Sequence, residues 1–401
     1  MRKRERRSHL LLSKIIFTVL MLLLYIIGRS IPLYSIDPSE YLNKHADATR
    51  LLSQTISGDL NQCSLLALGI FPYMMASMGQ QIVMSLMSSK NKSGISPVKS
   101  NRIMVAIMLV LAIYQAVMRV TDLKFVPGNG FLLPRIIAAL QLVVGSFVIL
   151  WMSERNTKYG VGGQTALIFV NILDGFTSVV RQCDISRYWL IMICIVLGTV
   201  VVTLFMENTQ KRIPLQRISV QNIYGDTDYQ AIKLNPIGIM PVMFASGLMM
   251  LPQLLVQTLL KFNPNNTILI WWNTNLSMDR YFGVGVYLFC LFFLTICFSA
   301  IFLNPKEITE NLLQSGDSFE GVHPGKKTKR YLLRNIFTFG IISSVVMGIC
   351  IAVPRLLAIN GVLDEQVSML PTSVLMLVGM WINLYQEIQA VGKIDKYRSI
   401  L

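Results

Sequence analysis

Charge is scarce in this sequence: 14% of its 401 residues are Asp, Glu, Lys or Arg, against 53% that are apolar. Soluble globular chains carry roughly 25% charged residues, so ordinary aqueous solubility is excluded and a lipid environment is indicated. Histidine is nearly absent, with only His9, His45 and His323, far apart in the chain. The six cysteines, Cys63, Cys183, Cys194, Cys290, Cys297 and Cys350, form no CxxC pair and lie mostly in apolar runs. Neither a metal centre nor a disulfide framework is implied. No glycine-rich loop ending in Lys and Ser/Thr is present to cradle a nucleotide phosphate, so any energy source is expected to come from another molecule. No catalytic constellation or cofactor motif stands out, and the chain is read as a non-enzyme without a cofactor.

The apolar runs are long. Segments bounded by charges and turn residues predict ten membrane helices near 14–34, 66–87, 102–120, 134–153, 164–180, 188–207, 236–258, 281–304, 333–355 and 370–388. The start resembles a signal peptide, but its apolar run is nearly span length and no small-residue cleavage site follows. It is read as the first span. The net charge of +15 would suggest nucleic acid in a soluble protein. Here, with a cytoplasmic N-terminus, 25 of the 36 Lys and Arg fall on the cytoplasmic side, as the positive-inside rule requires. The expectation is therefore both termini in the cytoplasm, and no nucleic-acid partner.

The spans contain few ionisable groups. Asp174 is the main one, read as a helix-end or outer-vestibule residue as readily as a proton relay, while Arg29, Arg119 and Glu207 lie near span ends. A solute carrier or lipid flippase would fit ten spans but should hold a polar site at the membrane midplane. Two spans are interrupted instead. Gly69 and Pro72 break the second, and Pro236, Gly238 and Pro241 break the seventh, so the backbone freed there should be buried in protein or line an aqueous cavity. Similar interruptions in the two halves are the trace of an inverted repeat, although Gly and Pro are common in membrane helices in any case. Several of the 22 methionines cluster in these two spans (Met74, Met75, Met78; Met240, Met243, Met249, Met250) and in the tenth (Met376, Met380), where flexible thioethers could form a compliant apolar gasket. The segment 301–335 ends a helix at Asn304-Pro305, continues through a short surface turn and a glycine-rich tip, and reaches a basic stretch. Anionic lipid or a docked cytosolic protein would each suit it.

Three long strings carry a resemblance: ALGIFPYMMASMGQQ at 67–81, LNPIGIMPVMFAS at 234–246 and NPKEITENLLQSGDSFEGVHPGKKTKRYL at 304–332. With weaker agreement in GVGGQTALIFVNIL, ENTQKRIP and LPTSVLMLVGMWIN, the chain resembles the SecY family of protein-conducting channels over practically its whole length. The resemblance implies an all-α polytopic membrane protein with ten transmembrane helices in two pseudo-symmetric inverted five-helix halves and a short plug. In residue numbers it implies a basic tail at 1–13, halves at 14–187 and 188–388, a cytoplasmic tail at 389–401, and cytoplasmic loops at about 208–235 and 305–332.

Carried onto this sequence, the ring that closes the pore falls on Met74, Ile168 or Ile172, Met243 and Met376, with Met78 and Ile239 close by. The plug falls at about 55–64, with Thr55, Gly58, Asp59 and Gln62, and is polar for a stopper under an apolar ring. A lateral gate lies between the second and third spans on one side and the seventh and eighth on the other. Motor docking falls on Lys211, Arg212, Arg217, His323, Lys326, Lys327, Lys329 and Arg330, with His323 where the common form has arginine. The implied partners are a SecA-type ATPase, a SecE-like small membrane subunit, a preprotein and membrane lipid. GVGGQ in place of GIGNG, the short loop between spans five and six and the trimmed loop after span six resemble the accessory branch of Gram-positive bacteria. That branch exports large serine-rich glycoproteins across the plasma membrane, and the housekeeping branch stands as the alternative.

Overall fold

The computed structural model describes residues 9–36, 63–90, 97–123, 125, 132–183, 185–216 and 229–397. In chain order its helices are α1 (His9–Ser30), α2 (Phe71–Lys90), α3 (Pro97–Asp122), α4 (Leu133–Tyr159), α5 (Gly163–Gln182), α6 (Ile185–Asn208), α7 (Met240–Phe262), α8 (Thr267–Asn275), α9 (Tyr281–Phe302), α10 (Pro305–Ser315), α11 (Lys326–Ile359) and α12 (Leu370–Tyr397). Three strands, β1 (Gln210–Gln216), β2 (Tyr229–Lys233) and β3 (Ser318–Phe319), complete the set.

Ten of these helices have at least 20 residues, a length that at 1.5 Å per residue reaches across a hydrocarbon core of about 30 Å. They coincide with the ten expected spans. Nine are also apolar enough to cross a membrane, and α2 is the exception. Its sequence FPYMMASMGQQIVMSLMSSK carries serines and glutamines, and its first turns bury Phe71, Met74, Met75, Ala76 and Ser77 in protein. A helix surrounded by other helices has no need of the uniform apolarity that lipid demands.

Boundaries differ from expectation where polar sequence remains good helix. The basic stretch Lys326–Arg330 forms the first turns of α11 and is not a loop, and α12 runs to Tyr397, through what was expected as a free tail from 389. At the other end α1 begins at His9, inside the expected 1–13 tail, because Leu10–Leu12 are already apolar. The remainder of that tail, residues 1–8, lies outside the described residues.

The two interrupted spans share one solution. Gly69 (φ 58°) and Gly238 (φ 70°) take the left-handed conformation, and three residues later Pro72 and Pro241 sit in the first turn of α2 and α7, where a proline costs no hydrogen bond. The prolines therefore start these helices and do not bend them, which is why α2 and α7 begin some five residues later than the periodicity suggests. The sequences around them repeat: GIFPYMMAS at 69–77 and GIMPVMFAS at 238–246 match at six of nine positions. Parts of the preceding backbone pair with the rest of the protein. Leu33 N donates to Cys63 O (2.7 Å), Leu65 N to Ile31 O (2.9 Å) and Gly69 N to Leu66 O (2.9 Å); in the second element Leu234 N donates to Thr209 O (2.8 Å).

The centre of the molecule is α12. In its most apolar stretch 72% of residues are buried inside the protein, against 11% for α1, so the last helix is the axis and the first is peripheral. A polar knot ties α1, α4 and the turn before α5 together. Buried Asn156 donates from Nδ2 to the carbonyls of Val161 (3.1 Å) and Gly163 (2.8 Å) and accepts from the Thr18 hydroxyl (2.9 Å). Gly162 N donates to Glu387 of α12 (2.9 Å). Asn156→Ala would leave buried polar groups unpaired, a cost of about 1–3 kcal/mol. It should lower the thermal unfolding midpoint in detergent by several degrees while the helical content of the folded protein stays the same.

Candidate functional site

The expected ring residues share one cluster. Met74 (2% exposed), Ile168 (4%), Ile172 (0%), Ile239 (1%), Met243 (6%) and Met376 (0%) belong to one buried apolar cluster drawn from α2, α5, the turn into α7, α7 itself and α12. Ile168 and Ile172 are one helical turn apart and both are in it. Met78 lies in α2, but its side chain is outside the described residues, as are the plug positions Thr55, Gly58, Asp59 and Gln62.

Sequence reasoning passed over Ile70, which is fully buried in the same cluster. The nine-residue repeat would have found it, because Ile70 occupies in GIFPYMMAS the place that Ile239 occupies in GIMPVMFAS. Met74 and Met243 are equivalent in the same way. Met75, Met380 and Met206 also join, and eleven of the 22 methionines lie in this cluster. Its middle is thus packed with side chains that change rotamer at low cost and remain apolar in each.

The fifth helix is held in its rotation by a polar clamp. Tyr25 of α1 donates its hydroxyl to Oδ1 of buried Asn171 (2.7 Å), Arg29 Nη1 reaches the same oxygen (3.4 Å), and Arg29 forms an ion pair with Asp174. Asp174 is half exposed and two turns from the end of α5, so its charge is matched by a partner near the membrane boundary. With Asn171 turned to α1, its neighbours Ile168 and Ile172 face the central cluster.

Where the resemblance places a lateral gate, α7 meets α2 and α3 at two levels. Gly247 lets α7 approach α2 so closely that a Cβ there would collide with Met75 and press on Phe71. Further along, Thr258 donates to the Met118 sulfur (2.7 Å) and Lys261 Nζ to the Thr121 hydroxyl (2.8 Å). The seam is therefore apolar and close-packed where Gly247 meets α2 and carries polar contacts toward its far end.

At the opposite end the two expected docking loops form one body. β1 pairs antiparallel with β2 from Gln210↔Lys233 to Pro214↔Tyr229, then with β3 through Leu215↔Phe319 and Gln216↔Ser318. Pro214, which has no N–H to give, sits where the strand changes partner. Ile213, Ile232, Phe319 and Leu332 form a small core beneath the sheet, with Leu312 of α10 and Tyr331 of α11 against it. On this platform Lys211, Arg212, His323, Lys326, Lys327, Lys329 and Arg330 are all exposed. Lys211 Nζ donates to Asn335 (3.0 Å), the Arg212 guanidinium lies 4.8 Å over the Tyr229 ring, and Thr328 holds the tip by donating to the His323 carbonyl (2.9 Å). Arg217 lies outside the described residues.

Among the described residues no group of three or more His, Cys, Asp or Glu is placed to hold a metal ion. The thiol of Cys183, just beyond the end of α5, is chemically quiet: burial with the charge of Asp364 pushes it up to about 11, so it stays protonated at neutral pH.

An apolar waist between repeated helix starts, a gate-like seam and a basic platform on one end define a membrane channel architecture, and solved structures share it. A structure described as "The structure of a protein conducting channel" superposes with a TM-score of 0.67 over 94% of this chain and 92% of that one, at 18% identity. The idle yeast Ssh1 complex bound to the 80S ribosome gives 0.65 over 93% and 89% at 12% identity. The SecY family model matches residues 64–385, and the chain belongs to that family. Among relatives, the accessory Sec system protein translocase subunit SecY2 of Streptococcus agalactiae serotype Ia is 30% identical over 98% of this chain and 97% of its own length. That of Leuconostoc gelidum is 27% identical over 98% and 97%. The protein translocase subunit SecY of Staphylococcus carnosus is 25% identical over 96% of each chain.

The packing across the seam is directly testable. Gly247→Val should destabilise the protein by about 1–3 kcal/mol through overpacking against α2. Adding Met75→Ala, which removes the flexible end it strikes, should recover most of the loss in thermal unfolding; no recovery would place the strain elsewhere.

Proposed function

We propose that the chain is the channel-forming subunit of an accessory-type protein translocase, which passes an unfolded, glycosylated polypeptide from the cytosol across the plasma membrane of a Gram-positive bacterium. The observation that carries the reading is the waist. Six side chains from opposite halves of the chain, Met74, Ile168, Ile172, Ile239, Met243 and Met376, share one buried apolar cluster with Ile70, and we read them as the closed constriction of the channel. A constriction of this kind binds no particular solute. It closes around an extended chain by side-chain rearrangement and limits ion leakage by excluding water. The halves are taken as 14–187 and 188–388, and the segment at about 55–64 as the plug that leaves when the waist opens.

The platform end faces the cytosol in this reading, with both chain termini on that side, in agreement with the distribution of Lys and Arg. Work is supplied by a SecA-type ATPase docked on the platform, because the chain has no nucleotide-binding loop of its own. The joint sheet supports that assignment: through β3 it joins the basic residues of β1 to the segment that leads into the basic first turns of α11, as an acidic partner requires. A small SecE-like membrane subunit braces the two halves along α5 and α12, where Phe169 packs against Trp381 (6.2 Å between ring centres) and Trp381 stays 62% exposed at the seam. The accessory assignment is supported by relatives of that name at 25–30% identity over nearly their whole length.

Two experiments test this. A preprotein stalled in transit should crosslink to Met74→Cys and Met243→Cys; labelling of cysteines near the platform with failure at both waist positions would overturn the channel path. Replacing Lys326, Lys327 and Lys329 with Gln should weaken motor binding about tenfold and motor-driven export with it, more at low salt than at high. Unchanged affinity would remove the docking surface from the platform.

A further inference from the structure

The connection between α7 and α9 holds a helix that neither the waist, the seam nor the platform uses. α7 leaves the platform end and α9 returns to it, so α8 (Thr267–Asn275) lies at the opposite end of the molecule. It is capped by Asn266, whose side-chain oxygen accepts from Ile268 N (3.0 Å). Its C-terminal side is fixed to the core: Leu276 and Met278 are buried in the central cluster, Gln253 of α7 donates to the Leu276 carbonyl (3.0 Å), and Gly283 of α9 packs directly on the Ser277 carbonyl. The helix is therefore a rigid projection carried by α7 and α9.

What it presents is apolar. Ile268 (66%), Trp271 (50%) and Trp272 (41%) are exposed, and none of the nine residues of α8 is buried. Trp271 and Trp272 pack with Phe282 of α9 into one aromatic group, with ring centres 5.4 and 6.2 Å from that of Phe282. From Phe282 the exposed surface continues down α9 through Phe289 and Phe293, on the flank of a membrane span. No charged residue occurs between Phe262 and Met278. At nine residues the helix is roughly 14 Å long, less than half a bilayer core.

We propose that α8 is an interfacial helix that lies in the headgroup boundary of the membrane leaflet distal to the platform, with Trp271 and Trp272 inserted at the upper end of the acyl chains. Lipid is the occupant because the aromatic face is continuous with a lipid-facing flank of α9, and because paired tryptophans with neutral Asn and Thr suit the interface, where indole is anchored at headgroup level. Through Gln253 and Leu276 the helix ties the far end of α7, the seam helix, to the depth of that leaflet. The inference rests on α7 and α9 spanning the membrane and not on what passes through the waist, so it stands or falls separately from the crosslinking above.

The test uses full-length protein with Trp151, Trp189 and Trp381 replaced by Phe, leaving only Trp271 and Trp272. It is reconstituted into phosphatidylcholine vesicles carrying bromine at 6,7 or at 11,12 of one acyl chain. Emission should fall about twofold with shallow bromines and less with deep ones, and should resist iodide present on both sides of the membrane. Quenching by iodide without bromolipid quenching would overturn the proposal and make α8 a water-exposed loop; resistance to both would also overturn it, because protein would then cover the helix. The difference in emission between wild-type protein and W271F/W272F gives the same readout if the triple background folds poorly.

Discussion

A backbone amide in hydrocarbon has no water to pair with, and the rest of this structure follows from that constraint. Unbroken helices satisfy it span by span. The two interrupted spans meet it in part through backbone bonds to remote chain, from Leu65 to Ile31 and from Leu234 to Thr209, while Ile70, Asn235, Gly238 and Ile239 are buried in protein. Enclosing them brings the starts of α2 and α7 to the middle of the molecule. The waist forms there because those starts carry Ile70, Met74, Ile239 and Met243 inward.

The same geometry divides rigidity from compliance. α5 is held by polar and ionic contacts to α1, and the turn before it is tied to α1, α4 and α12 by the knot around Asn156. The waist and the seam between α2 and α7 are held chiefly by methionine and aromatic packing, with a glycine at the point of closest approach. Apolar packing of unbranched side chains has many arrangements of similar energy, whereas a buried hydrogen bond has one. A framework fixed at its back and soft at its centre and front is suited to opening without unfolding.

The platform is organised on another principle. Its basic residues are carried on β1 and on the first turns of α11, where positive charge at a helix N-terminus works against the helix dipole. The arrangement costs local stability and is supported by the core under the sheet and the long apolar remainder of α11. Charge placed against helix preference in this way fits a surface that recognises another molecule.

Ten spans, their order and the cytoplasmic placement proposed for most cations were legible in the sequence, because a bilayer imposes its length and apolarity on every span locally and each can be read without knowing its neighbours. The interrupted spans were legible as interruptions for the same reason, and the family resemblance picked out six residues that share one buried cluster. Three features were decided only by tertiary structure. Pro72 and Pro241 begin helices and do not bend them, because the glycine turn before each is held by distant backbone at Ile31 and Thr209. The two expected docking loops make one sheet because β1 changes partner at Pro214 to reach a strand about a hundred residues away, which no local pattern encodes. Both Ile168 and Ile172 face the waist because Asn171 is claimed by Tyr25 and Arg29 of a helix far off in sequence. Local chemistry fixed what each segment is; contacts between segments remote in sequence fixed which way it faces.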